Sequence, residues 1–158
     1  MQEGNMKKED KKGTVILQAE VMLEKETLEI GKKILALAQQ YRTNLILLVG
    51  ALGAGKTALT KGIGEALGIP AEKVTSPTFA LIHEYQGKQG IMYHMDFYRL
   101  DSWEEVLELG FEEYVDQPGI VVIEWADKFI YHFSNPFIMV KIFWKDFSAR
   151  EIVVEYWE

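Results

Sequence analysis

Apolar and polar positions along the chain follow two different periods. From Glu24 to Tyr41, the residues Leu28, Ile34, Leu35 and Ala38 recur at near-helical spacing among Glu, Lys and Gln, which predicts an amphipathic helix. A second helix is predicted from Thr57 to about Leu67, ended by the sequence Gly-Ile-Pro. Residues 102–114, SWEEVLELGFEEY, read as acidic and helical with a break at Gly110. The remaining apolar runs are short. Residues 44–50 (NLILLVG) and 119–125 (GIVVIEW) are continuous apolar runs, the pattern of strands covered on both faces. Residues 14–20 (TVILQAE) predict another strand. Residues 77–85 and 90–98 both read as extended, and QGKQG between them as a turn, so the pair predicts a hairpin. Residues 136–146 and 150–158 alternate about a second turn and predict a closing antiparallel hairpin. Buried strands of the parallel type, helices and hairpins together predict an α/β domain with a mixed sheet.

Composition narrows the function classes. The chain has 158 residues, 48% hydrophobic and 26% charged. That is enough for one domain over residues 14–158, preceded by a flexible, lysine-rich tail over residues 1–13. No apolar run approaches the roughly 18 residues of a membrane span, and the charged start has no apolar stretch after it. A role without a membrane is expected. There are no cysteines, which excludes disulfides, thiol catalysis and thiolate zinc sites and fits a cytoplasmic protein. The net charge of -7 argues against a chain whose main task is to neutralise nucleic-acid phosphates.

Candidate chemistry sits directly after the first apolar run. Gly50, Gly55, Lys56 and Thr57 match G-x-x-x-x-G-K-[ST], with a predicted strand before and a predicted helix after. Glycines at 50, 53 and 55 let the backbone turn its N–H groups inward as an anion nest. The helix that follows adds unpaired N–H groups and the positive end of its dipole. In such a loop Lys56 reaches the β- and γ-phosphates and the Thr57 hydroxyl faces Mg²⁺. The expected fold is therefore P-loop NTPase-like, with central parallel strands flanked by helices and antiparallel hairpins.

A magnesium site of this kind also takes an acid from a neighbouring strand. Glu124 ends the run Ile120–Ile123 and fits that place; the alternative is a strand-end carboxylate in a cap or surface pair. Asp96 in YHMDFYRL is the second candidate acid, acting on metal or on water, or else pairing with Arg99 at a hairpin end. Ser76, Pro77, Thr78 and Phe79 form either a switch over a γ-phosphate or a plain turn. The histidines at 83, 94 and 132 lack metal-ligand spacing and read as structural or hydrogen-bonding residues. Trp125 either stacks on a partner or fills core. No N-K-x-D sequence follows the P-loop, so ATP is favoured over GTP. A small-molecule or nucleotide kinase is the rival enzyme class. With only three arginines, at 42, 99 and 150, no arginine-rich lid is visible.

The segments GALGAGKT, SPTF, YHMDFYRL and VIEWADKF, in this order and spacing, resemble the TsaE (YjeE) family, and LGF with the acids around 109–113 fits as well. The resemblance spans roughly Thr27 to Phe129. It implies a Mg²⁺-dependent, weak ATPase needed for N6-threonylcarbamoyladenosine at position 37 of tRNA, working with TsaB and TsaD and meeting tRNA only indirectly. It implies that Leu52, Gly53, Ala54, Gly55, Lys56 and Thr57 bind phosphate. It also implies that Thr57 and Glu124 hold Mg²⁺, and that Asp96, Lys56 and Glu124 are catalytic. By the same resemblance SPTF is a first switch and LGFEEY a second. Glu24 is a further nucleotide contact, and Arg150 lies on the base side of the site.

Overall fold

In the computed structural model, which describes residues 11–51, 53–77 and 81–158, the apolar runs become strands of one seven-stranded sheet. In chain order these are β1 (Thr14–Val21), β2 (Leu45–Val49), β3 (Ile82–Gln86), β4 (Ile91–Asp96), β5 (Ile120–Glu124), β6 (Phe137–Trp144) and β7 (Arg150–Trp157). Their order across the sheet is β1-β7-β6-β2-β5-β4-β3. The four central strands, β6, β2, β5 and β4, are parallel, and the β3–β4, β6–β7 and β1–β7 pairs are antiparallel. This is the mixed α/β sheet that the pattern predicts, and the two continuous apolar strands, β2 and β5, are the ones with parallel partners on both sides.

Side-chain alternation sorts the buried strands between two layers. Ile46, Leu48, Val122, Ile138 and Val140 join an aliphatic layer under the helices α1 (Glu24–Gln40) and α2 (Lys56–Ala66). Leu45, Leu47, Val121, Ile123, Phe137 and Met139 point the other way. There they meet α3 (Trp103–Glu108), α4 (Phe111–Asp116) and a 3-10 turn over Asp127–His132. The break expected at Gly110 separates α3 from α4, with Gly110 at φ 82°.

Two glycines set the crossing of α1 on α2. A Cβ on Gly62 would strike the Leu28 backbone carbonyl, and one on Gly31 would strike the Leu59 carbonyl. The helices therefore meet backbone to backbone, which fixes where α2 begins. The start of α1 is held by Glu26, whose Oε1 accepts the N–H groups of Leu23 at 2.9 Å and Met22 at 3.2 Å.

Two details differ from the sequence pattern. Of the extended run expected from Pro77, residues 78–80 lie outside the described residues; the strand begins at Ile82, after Leu81 at φ 64°, whose N–H donates to the Pro77 carbonyl at 2.8 Å. Of the expected N-terminal tail, residues 1–10 lie outside the described residues. The Lys11 ammonium donates to the Phe133 carbonyl at 3.4 Å, and Gly13 sits against the Trp157 ring.

Candidate nucleotide site

The site is built where β2, β4 and β5 end beside the start of α2. β2 stops at Val49, and the chain turns back through Gly53 at φ 79° and Gly55 at φ 118°, the latter capping α2. Both angles lie in the left-handed region that glycine enters without strain. A Cβ on Gly53 would meet nothing within 4 Å, so the loop opens onto space there. The first-turn amides of α2 have no partner within the helix, and its dipole is positive at this end.

Lys56 is the first residue of α2 and is only 6% exposed. Its ammonium lies 3.8 Å from Glu124 Oε1 and 4.3 Å from the centre of the Trp125 ring. Burial pushes its pKa below the ordinary lysine value, opposed by the carboxylates of Glu124, Asp96 and Asp127. Trp125 follows Glu124 with φ 60°, which turns its ring toward Lys56, and Tyr98 packs beside it with centroids 5.1 Å apart. Trp125 is half-buried and lines a neighbouring space, so it does not fill core.

The two acids come from adjacent parallel strands. Asp96 and Glu124 are register partners in the β4–β5 ladder, and both are 4% exposed. Asp96 Oδ1 accepts the Tyr98 N–H at 2.8 Å, which turns the chain as it leaves β4. Glu124 Oε2 accepts from His94 Nε2 at 2.8 Å. His94 and Asp96 lie two residues apart on β4, so their side chains share the α2 face of the sheet.

A cleft of about 430 Å³ gathers Glu24, Gly53, Gly55, Lys56, Thr57, Ser76, Glu124 and Arg150 on its walls, together with Met22 and Ala58. Residues from the two ends of the chain reach it through the β1–β7 ladder, in which Val21 pairs with Arg150. The Arg150 guanidinium stacks on the Trp144 ring at 4.2 Å. Ala54 is buried and its N–H donates to the Ala51 carbonyl at 3.1 Å, so it shapes the turn and does not line the cleft. Pro77 is buried and Ser76 exposed. Leu52, Thr78 and Phe79 lie outside the described residues. Asp96 does not line this cleft but stands beside Glu124 at the end of the neighbouring strand.

His94 is a member of this cluster that the sequence reading assigns no specific partner. Strand alternation, with a histidine two positions before an acid, is the signal that places it there. Asp127, which lines a second space of about 390 Å³ beyond Lys56 and Trp125, is likewise absent from the sequence candidates.

The model of the family described as "Threonylcarbamoyl adenosine biosynthesis protein TsaE" matches residues 21–152. This chain belongs to the TsaE family. Curated relatives named "tRNA threonylcarbamoyladenosine biosynthesis protein TsaE" include one from Nostoc, 44% identical over 68% of this chain and 67% of its own length. One from Treponema pallidum is 46% identical over 54% of this chain and 62% of its own. One from Bacillus subtilis is 44% identical over 64% of this chain and 61% of its own. The matched segments thus span about two thirds or less of those relatives' lengths. The crystal structure of YdiB from Bacillus subtilis superposes with a TM-score of 0.70 and 31% identity, covering 90% of this chain and 87% of that one. The family carries the P-loop NTPase-like α/β fold and the link to threonylcarbamoyladenosine biosynthesis. Among the described residues no helix is long and apolar enough to cross a membrane.

Proposed function

We propose that this chain binds ATP with Mg²⁺ in the cleft between the 50–55 loop and β5 and hydrolyses it slowly. On this reading it works in the cytoplasm with TsaB and TsaD in forming N6-threonylcarbamoyladenosine at position 37 of tRNA. The observation that carries the proposal is a lysine at the first position of a helix capped by a left-handed glycine, almost buried and facing an equally buried strand-end glutamate. A buried ammonium whose charged form is disfavoured gains most when a polyanion enters beside it.

The residues perform distinct tasks. Gly53 and Gly55 let the loop amides face the phosphates, and Lys56 moves from Glu124 onto the β- and γ-phosphate oxygens. Thr57 and Glu124 border the same cleft and offer hard oxygen donors, which suits a magnesium ion that takes most of its ligands from phosphate and water. When bound, that ion neutralises the charge developing on the transferred phosphoryl group. Asp96, beside Glu124, orients the attacking water. Glu24 and Arg150, which border the same cleft, hold the nucleoside end. Ser76 to Phe79 form the segment that answers the γ-phosphate.

The one arginine lining the described cleft, Arg150, comes within 3.1 Å of a Cβ built on Gly55 but is stacked on Trp144 and assigned here to the nucleoside end, so slow turnover alone and faster turnover with a partner are expected. The test is phosphate release with and without TsaB–TsaD, alongside the yield of modified adenosine. Stimulated release with rising yield supports the proposal. A phosphorylated small molecule accumulating in place of inorganic phosphate would replace it with a kinase.

A further inference from the structure

His94 has no exposed surface, and its ring is polar on both sides. Nε2 lies 2.8 Å from Glu124 Oε2, and a carboxylate oxygen only accepts, so Nε2 is the donor. Nδ1 is buried as well and has no hydrogen-bond partner among the described residues. A ring with one bare nitrogen is a poor core filler, since an apolar side chain of similar shape leaves no polar atom unsatisfied. What histidine adds at this position is the bond to Glu124.

That bond divides the two oxygens of the carboxylate. Oε2 is tied inward to His94, while Oε1 looks toward Lys56 at 3.8 Å and the cleft that both residues line. Without the imidazole, Oε2 would be a buried acceptor without its neighbour, and the carboxylate would gain by rotating onto the Lys56 ammonium. Such a rotation would turn the carboxylate away from the cleft, while the flexible Lys56 ammonium could still move onto an entering phosphate. We propose that His94 is a positioning residue. By holding Oε2 it fixes Glu124 so that Oε1 faces the place of a nucleotide-bound divalent cation. This rests on the reading of the cleft as a magnesium–nucleotide site.

The probe is Mn²⁺ with ADP, read by the electron paramagnetic resonance of free Mn²⁺, with ADP affinity measured separately in EDTA. Wild-type protein should hold Mn²⁺ with ADP. His94→Phe, which fills the space without a donor, should weaken Mn²⁺ by roughly 10- to 100-fold, as loss of an outer partner does to a metal ligand. Its ADP affinity in EDTA should stay at the wild-type level. His94→Gln, which keeps an N–H donor, should recover most of the Mn²⁺ affinity. Wild-type Mn²⁺ affinity in His94→Phe overturns the proposal. So does an equal loss of ADP affinity in EDTA, which would mark a distorted site. If His94→Phe does not fold, His94→Gln decides: affinity near wild type supports the proposal, and a loss as deep as that of Glu124→Gln overturns it. Failure of wild-type protein to bind Mn²⁺ with ADP would instead remove the nucleotide reading itself.

Discussion

The two faces of the sheet are built from different materials. Under α1 and α2 the core is aliphatic, and the helices approach each other through Gly31 and Gly62. Under α3, α4 and the 3-10 turn the core is aromatic: Phe97, Trp103, Phe111, Phe129 and Phe133 meet largely edge to face, with Phe137 stacked on Trp157. The helices of the second face are only six residues each. Large rings fill the volume that short helices leave open, and their placement follows shape more than backbone contact. On the first face the backbone contact itself aims α2, and with it Lys56 and the loop. All the charged groups of the cleft lie at the end of this face. The lesson is that one layer supplies most of the bulk while the other supplies aim.

That division can be broken experimentally. Phe111→Ala removes a ring that touches Phe97, Trp103 and Phe133, and should cost about 3–5 kcal/mol in denaturant unfolding. Nucleotide affinity below the transition should stay within about twofold, since no group of the cleft is moved. Gly62→Ala should cost about 2–3 kcal/mol, because a Cβ there would strike the Leu28 carbonyl oxygen and the helices must part. It should also weaken nucleotide binding, since the start of α2 moves with the crossing. If Phe111→Ala damaged binding more than Gly62→Ala, the division between bulk and aim would be wrong.

The smallest effect is expected at the β6–β7 turn, away from both layers. Asp146 Oδ1 accepts the Ser148 N–H and hydroxyl, each at 2.8 Å, and the Ala149 N–H at 2.9 Å. These bonds hold its carboxyl below the usual 3.8. A depressed folded-state pKa gives stability that is present above the unfolded value and lost as the pH falls through the folded one. Asp146→Ala should therefore lower Tm by about 2 °C or less at neutral pH. The difference should vanish in acid well below 3.8. A difference that persists there would assign the turn's stability to something other than the carboxylate.

Much of this molecule is legible in the sequence, for reasons that differ by region. The strands Leu45–Val49 and Ile120–Glu124 stand out because burial on both faces leaves no polar position in them until Glu124. The loop over residues 50–57 stands out because it carries glycines at the fixed offsets that a main-chain phosphate grip demands. Glu24 and Arg150 fall on one cleft only because β1 and β7 pair at the sheet edge, and no periodicity specifies that pairing. Trp125 at φ 60° is equally illegible, since a bulky residue in the left-handed region runs against its own propensity and is held by its surroundings. His94 carries no signal alone. It acquires one when β4 is read as a strand whose alternate side chains share a face with Glu124.

The most direct measurement is a calorimetric titration of the full chain with ATP and Mg²⁺, run in parallel on Lys56→Ala. The expected result is saturable binding at one site in the wild type that is lost or weakened at least tenfold in the variant. Equal binding by both, or no binding by the wild type, would contradict the claim that the cleft beside Lys56 and Glu124 is a nucleotide site.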